Sequence, residues 1–296
     1  MKLTRENLDA LFTAFNAALN KGLAKTWTGW QKWAMTVQSS GAGETYPLAL
    51  VTGGMREWIG ERVRNKLDTG KLTVLNKDYE HEEAVSRNDI EDDHVGLYAP
   101  IFEAMGVDAG NLWGRLATAA LVNAGNWADG NAFFSSRTLG KKSTVNNAVN
   151  AALTLSNYET ARGRMMAFCD AAGSPLGLVP DLLMVGPSNE STAKNILDAD
   201  LVVSGGSTVS NIHKGESEIQ VNPYLVGSDA GKWFLFCTSR GLKPVAVQKR
   251  KEGALQRHDG DSDECVRARN ECLYDLHYRG NAAAVQPLLV IGGNLG

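Results

Sequence analysis

From Tyr98 to Ala124 the chain carries one apolar stripe, made of Tyr98, Ile101, Phe102, Met105, Ala109, Leu112, Trp113, Leu116, Ala120, Leu121 and Ala124. Steps of one, three and four are helical steps, and they set these side chains on one side of a long amphipathic helix. Asp92 and Asp93 stand where an N-cap and first-turn acids belong, and Gly125 where a stop belongs. Unbroken from about Val95 to Ala124, such a helix spans on the order of 45 Å at 1.5 Å per residue. The stretch before it, from Trp58 to Asp93, is charged and poor in large apolar residues. Leu72, Val74 and Tyr79 to Val85 alternate with charges there, and Asp68-Thr69-Gly70 and Asn76-Lys77-Asp78 are turn material, so the stretch reads as an extended, hairpin-like excursion. A long helix beside a polar ribbon suits a subunit that reaches its neighbours. It does not point to a pocket.

At 296 residues the chain is long enough for one large or two ordinary domains with a real core. A net charge of −3 lacks the basic footprint of a dedicated nucleic-acid binder. No run approaches the ~18 apolar residues of a membrane span. The first residues, MKLTRENLDALFTAF, mix acids among apolar positions and lack a small-residue cleavage site, so no secretory signal is expected. Cys169, Cys237, Cys265 and Cys272 are few and scattered, as reduced thiols of a protein assembled in a cytoplasm would be.

In chain order, residues 4–23 form an amphipathic helix candidate, with Thr4 as cap and Leu8, Leu11, Phe12, Phe15 and Leu19 on one face. Trp27, Trp30 and Trp33 then recur every three residues in a stretch without sustained period. They are read as a face packed in their own subunit, as anchors between subunits, where Trp is enriched, or, least of all, as a membrane-surface or sugar-stacking element. A helical region in two pieces is expected over 145–173, a short buried strand at PDLLMVGP, a helix over Glu190–Ala199 and a flexible loop at VVSGGSTVSN. Mostly strands follow Glu218. Helices, strand, helix, then strands argue for an α+β fold over regular α/β alternation.

Candidate chemistry does not converge. Gly140-Lys141-Lys142-Ser143-Thr144 departs from a phosphate loop, because Ser135 stands where the first Gly is needed and Lys142 where Ser or Thr is needed. Asp259, Asp261 and Asp263 begin like a calcium loop, but Glu264 and Asn270 occupy its Gly and Glu positions. His258, Cys265, Cys272 and His277 invite a zinc reading, yet the odd spacing of Cys272 and His277 sends them to opposite faces of a strand. Glu80, His81, Glu82 and Glu83 read better as a solvated ribbon than as metal ligands. No catalytic, metal or cofactor residues are expected, and an enzyme is disfavoured. Gly106, Gly110 and Gly114 lie four apart on the long helix, which means a bent helix or a smooth stripe under a close backbone.

The order of residues in MREWIGER (Met55–Arg62), NKDYE (Asn76–Glu80), VSRNDIEDDHVGLYAPIFEAMG (Val85–Gly106) and DGNAFFS (Asp129–Ser135) resembles the major head subunits of Mu-type tailed phages, and PDLLMVGP and NPYL do so more loosely. The resemblance implies the tailed-phage capsid fold. An N-terminal arm would occupy residues 1–55, an extended loop 56–92, and a peripheral domain with a spine helix 93–142. An axial domain would fill 143–242, and terminal strands 243–296 would return to the peripheral domain. It further implies self-assembly through pentamers and hexamers into an icosahedral virion shell around double-stranded DNA, built in the host cytoplasm. The other partners implied are a scaffold, a portal and a decoration protein, with DNA contacted non-specifically and no membrane. A shell that must not grip DNA fits the mildly acidic balance. Interface candidates are Trp27, Trp30 and Trp33 in the arm, Trp58 at a hinge, and Lys71, Lys77 and Tyr79 in the loop. Some capsids of this fold join a loop Lys to an Asn of another subunit, and this chain offers several of each. The alternative is a nanocompartment shell of the same fold around cargo enzymes.

Overall fold

A computed structural model describes residues 3–48, 68–92, 94–139, 143–204 and 206–295. Helix α1 (Arg5–Leu23) starts at Thr4, whose hydroxyl accepts the Asn7 N–H at 3.4 Å. It buries Leu8, Leu11, Phe15 and Leu19, as its period requires. Strands β1 (Ala34–Gln38) and β2 (Gly43–Leu48) follow, then β3 (Asp68–Leu75), β4 (Lys77–Ser86) and the short α2 (Arg87–Glu91).

The long helix is α3 (Ala99–Val122), about 36 Å at 1.5 Å per residue. It starts later than Asp92 and Asp93 suggest: Asp92 closes α2, and a 3₁₀ turn at His94–Leu97 intervenes. Pro100 explains the late start, because its fixed φ and missing N–H suit a first helical turn. The helix is continuous through Gly106 and Gly110, and its glycines mark a close approach. A Cβ on Gly106 would stand 2.1 Å from the Leu19 carbonyl oxygen, and one on Gly22 would stand 2.0 Å from that of Glu103. Helices α1 and α3 touch backbone to backbone.

After α3 come β5 (Ser136–Leu139), β6 (Ser143–Asn146), β7 (Ala148–Val149), α4 (Leu155–Met166) and β8 (Leu182–Val185). Next are α5 (Glu190–Leu197), β9 (Leu201–Ser204), β10 (Ser207–Ser210), β11 (Glu218–Val221) and β12 (Trp233–Phe236). The chain ends with β13 (Val245–Lys251), β14 (Gln256–His258), α6 (Glu264–Arg269), β15 (Glu271–Ala284) and β16 (Val290–Gly293). The helix expected from residue 145 is therefore β6 and β7, and only Leu155–Met166 is helical. Ser143, Val145, Asn147 and Val149 alternate inward with period two, which is a strand's period.

Two five-stranded sheets organise the described residues. In the first, β15 pairs antiparallel with β13 and β14 along one edge and with β4 along the other. β1 extends this sheet, parallel to β13. Along β15, Cys272, Tyr274, Leu276 and Tyr278 face the core while Leu273, Asp275, His277 and Arg279 face outward, as the alternation requires. The second sheet runs β11-β8-β12-β16-β7. Its middle strands are buried on both faces. Met184, Phe234 and Phe236 pack with α1, α3 and the first sheet, whereas Leu183, Trp233 and Leu235 pack with Tyr158, Met165 and Ile196. One sheet thus separates two cores.

Two expectations change here. The hairpin excursion is not β3 with β4: β3 pairs with β2, and β4 belongs to the first sheet for its whole length. The ribbon therefore begins at Gly43, and the described part of it ends at Leu75 rather than Asp92. Second, β16 lies between β12 and β7, so the last strand of the chain completes the second sheet and does not return to the first.

Candidate assembly surface

The three tryptophans divide. A 3₁₀ turn, Gly29–Lys32, has three residues per turn and so sets Trp30 and Trp33 on one side. That side faces inward. Trp33 is 0% exposed and stacks on Phe236 at 5.7 Å, and Trp30 is buried beneath Lys249. These two correct the anchor reading: their surface is already covered within the subunit, leaving none to offer a neighbour. Residues 5–38 accordingly give Leu8, Leu11, Phe15, Leu19, Trp30, Trp33 and Ala34 to the first core. Trp27 is half-buried, edge-on to Tyr224 at 5.6 Å, with its backbone N–H donating to Asn111 Oδ1 at 3.0 Å. Trp58 lies outside the described residues.

Lys71 is exposed on the ribbon strand β3. Lys77 is exposed where β4 begins, opposite Gly280. Tyr79 is not a ribbon residue. It pairs with Tyr278 in the first sheet and lines a groove of about 300 Å³ with Asp108, Leu112 and Arg115 of α3. Burial pushes its phenol above the ordinary value. The structure does not bring Lys71 and Tyr79 together on one element.

Sequence reasoning missed a surface over residues 201–212. Strands β9 and β10 form an antiparallel hairpin, where a flexible loop was expected. Leu201, Val203 and Ile212 are 59%, 73% and 79% exposed, and Val209 also faces solvent. A signal was present: β-branched residues flank Gly205-Gly206, and Gly206 takes φ +81°. The root of the hairpin is firmly held. Asn211 Nδ2 donates to the carbonyls of Ile196 and Ala199 at 2.9 Å each. His213 lies between Glu216 at 2.6 Å and Glu159 at 3.1 Å. An apolar tip on a rigid polar root is built for contact with another surface, since nothing in the subunit covers it among the described residues.

Among the described residues, the chemical groups singled out in the sequence do not converge on one site. Cys272 and His277 occupy opposite faces of β15, and His277 bonds outward to Asp78 at 3.0 Å. Asp259, of the acidic triplet, is buried between Arg5 and Arg257 at 3.6 Å each, and Asp261 pairs with Arg87 at 2.9 Å. These carboxylates serve ion pairs that tie α1, β14 and α2 together.

Comparison with known proteins places this geometry. The family model of the Mu-like prophage major head subunit gpT matches residues 8–151, 143–225 and 226–288. The chain belongs to that family. Over 279 residues it is 25% identical to the Mu-like prophage FluMu major head subunit of Haemophilus influenzae, covering 94% of this chain and 70% of that protein. It is 24% identical over 305 residues to the major capsid protein of Escherichia phage Mu, covering 76% of this chain and 100% of that protein. The procapsid subunit of bacteriophage JBD30 superposes with a TM-score of 0.57 at 22% identity, covering 98% of this chain and 75% of that one. The fold is that of phage capsid subunits. This head subunit is a structural protein that assembles with copies of itself into a phage shell, and its family favours a phage head over a nanocompartment.

Proposed function

We propose that this head subunit forms pentamers and hexamers of an icosahedral shell that encloses phage double-stranded DNA. The β9–β10 hairpin contacts its counterparts around the capsomer axis, and the β2–β3 ribbon, with Lys71, lies over a neighbour. Lys77, at the foot of the ribbon, faces the same neighbour. Assembly proceeds in the host cytoplasm with a scaffold and a portal, a decoration protein binds the finished shell, and DNA is contacted non-specifically. The observation that carries this reading is the exposed apolar hairpin on a clamped root. Association would remove that surface from water, at about 25 cal/mol per Å², and symmetry would repeat the gain around each ring.

The test is the double variant Leu201→Ser, Val203→Ser, examined by size-exclusion chromatography with light scattering and by electron microscopy. Both side chains point to solvent, so subunit stability should stay within about 0.5 kcal/mol of the parent. Closed shells should fail to form or should dissociate at lower denaturant. Shells of parental yield and stability would remove the hairpin from the assembly contacts.

A further inference from the structure

The chain crosses between the first sheet and the ribbon twice, at residues 39–43 and again at 75–77. Side chains hold both crossings. At their centre is Gln248 of β13, a polar residue with no exposed surface. Its Nε2 donates to the Val74 carbonyl at 2.9 Å and to Asn76 Oδ1 at 2.7 Å, and its Oε1 accepts from the Tyr46 hydroxyl at 3.2 Å. Asn76 passes the linkage on, donating from Nδ2 to Ser39 Oγ at 2.8 Å and to the Gly41 carbonyl at 3.0 Å. Ser39 in turn donates to Glu44 Oε1 at 2.8 Å, and Asn281 Nδ2 donates to the Leu75 carbonyl at 2.8 Å.

We propose that Gln248 is the positioning residue of the ribbon: its amide, bonded to both ribbon strands and to the turn between sheet and ribbon, sets the angle at which β2–β3 leaves the body and so the curvature at which subunits join. An apolar side chain of equal length would fill the same space, but Val74 O and Tyr46 OH would lose their partner. A buried amide with all its groups bonded selects one geometry, because any other orientation leaves polar atoms without partners. The consequence for shell curvature rests on the ribbon being an assembly contact; the clasp itself does not.

The test uses the full-length chain with Gln248→Met, which keeps the volume and removes the hydrogen bonds. Gln248→Glu is the second variant, which sets an acceptor against two acceptors. Amide hydrogen exchange should accelerate about tenfold or more across β2 and β3, as expected for the loss of one or two buried bonds, while β13 and β15 stay within about twofold. Assembled particles should broaden in diameter by electron microscopy. Should Gln248→Met fail to fold, Tyr46→Phe removes one donor alone and should speed ribbon exchange about threefold. Unchanged ribbon exchange would overturn the proposal, as would equal acceleration of β13 and β15, which would mean a general packing role. Fast ribbon exchange with parental particle diameters would also overturn it. Lys71→Glu, exposed and outside the clasp, tests the ribbon contact separately: parental assembly would remove that contact whatever Gln248 does.

Discussion

Trp33 and Gly106 carry opposite lessons about single residues. Trp33→Ala should cost the unassembled subunit about 3–5 kcal/mol, the usual range for an aromatic truncated inside a core. Chemical denaturation reads it, and a loss seen only in assembled particles would restore the anchor reading. Gly106→Ala should destabilise by a few kcal/mol, since its methyl group meets the Leu19 carbonyl at 2.1 Å and must push α1 off α3. Gly163→Ala, inside α4 with open space around it, should instead stabilise by about 0.5–1 kcal/mol through helix propensity. Equal signs for the two glycines would mean that close approach is not what places Gly106. The spacing of the tryptophans was legible in the sequence, and so was the choice between their own subunit and a neighbour. Which side won was not legible, because it depends on Phe236, roughly two hundred residues further on.

Elements were legible where one local period dominates. The stripe of α3, the face of α1 and the alternation of β15 all follow from spacing within a single segment. Pairing partners were not legible. β3 and β4 are separated by Asn76 alone, yet one joins the ribbon and the other pairs with β15 from Ser86 opposite Glu271 onward. The charges of β4 suit a solvated ribbon, whereas Tyr79, His81, Glu83 and Val85 alternate onto its more buried face, opposite Tyr278, Leu276, Tyr274 and Cys272 of β15. Likewise Val145 and Val149 fit a helix by composition and a strand by period. Caps were legible in part: Thr4 opens α1 as expected, whereas Asp92 closes α2 instead of opening α3. Thr154 lies inside the stretch expected to be helical, yet its hydroxyl accepts the Asn157 N–H at 3.2 Å and opens α4. Thr154→Ala should therefore cost about 1 kcal/mol, by thermal or chemical melting, and Thr154→Ser should recover most of it. No loss in the alanine variant would mean that packing of Tyr158 and Met165 alone defines the start of that helix.

At the scale of the molecule, the two cores share the second sheet, so they should unfold together, and their buried acids predict where in pH that happens. Burial raises the Tyr46 phenol to about 12 and the Cys272 thiol to about 11. Tyr274, edge-on to Phe15 and Phe102 in the first core, is raised further by burial, and Tyr158, hydrogen-bonded to Ser217 in the second, moves the same way. Each group holds its proton more tightly when folded than when unfolded. The stability it contributes is therefore complete below its unfolded value, near 9 for the thiol and 10 for the phenols, and is lost as pH rises through the folded value. The subunit should keep its stability up to about pH 9 and lose it steeply from there to about 12, with tyrosinate absorbance and circular dichroism changing in one cooperative step. Smooth titration of all tyrosines near pH 10 without unfolding would contradict the burial argument. Two separate steps would mean that the shared sheet does not couple the cores.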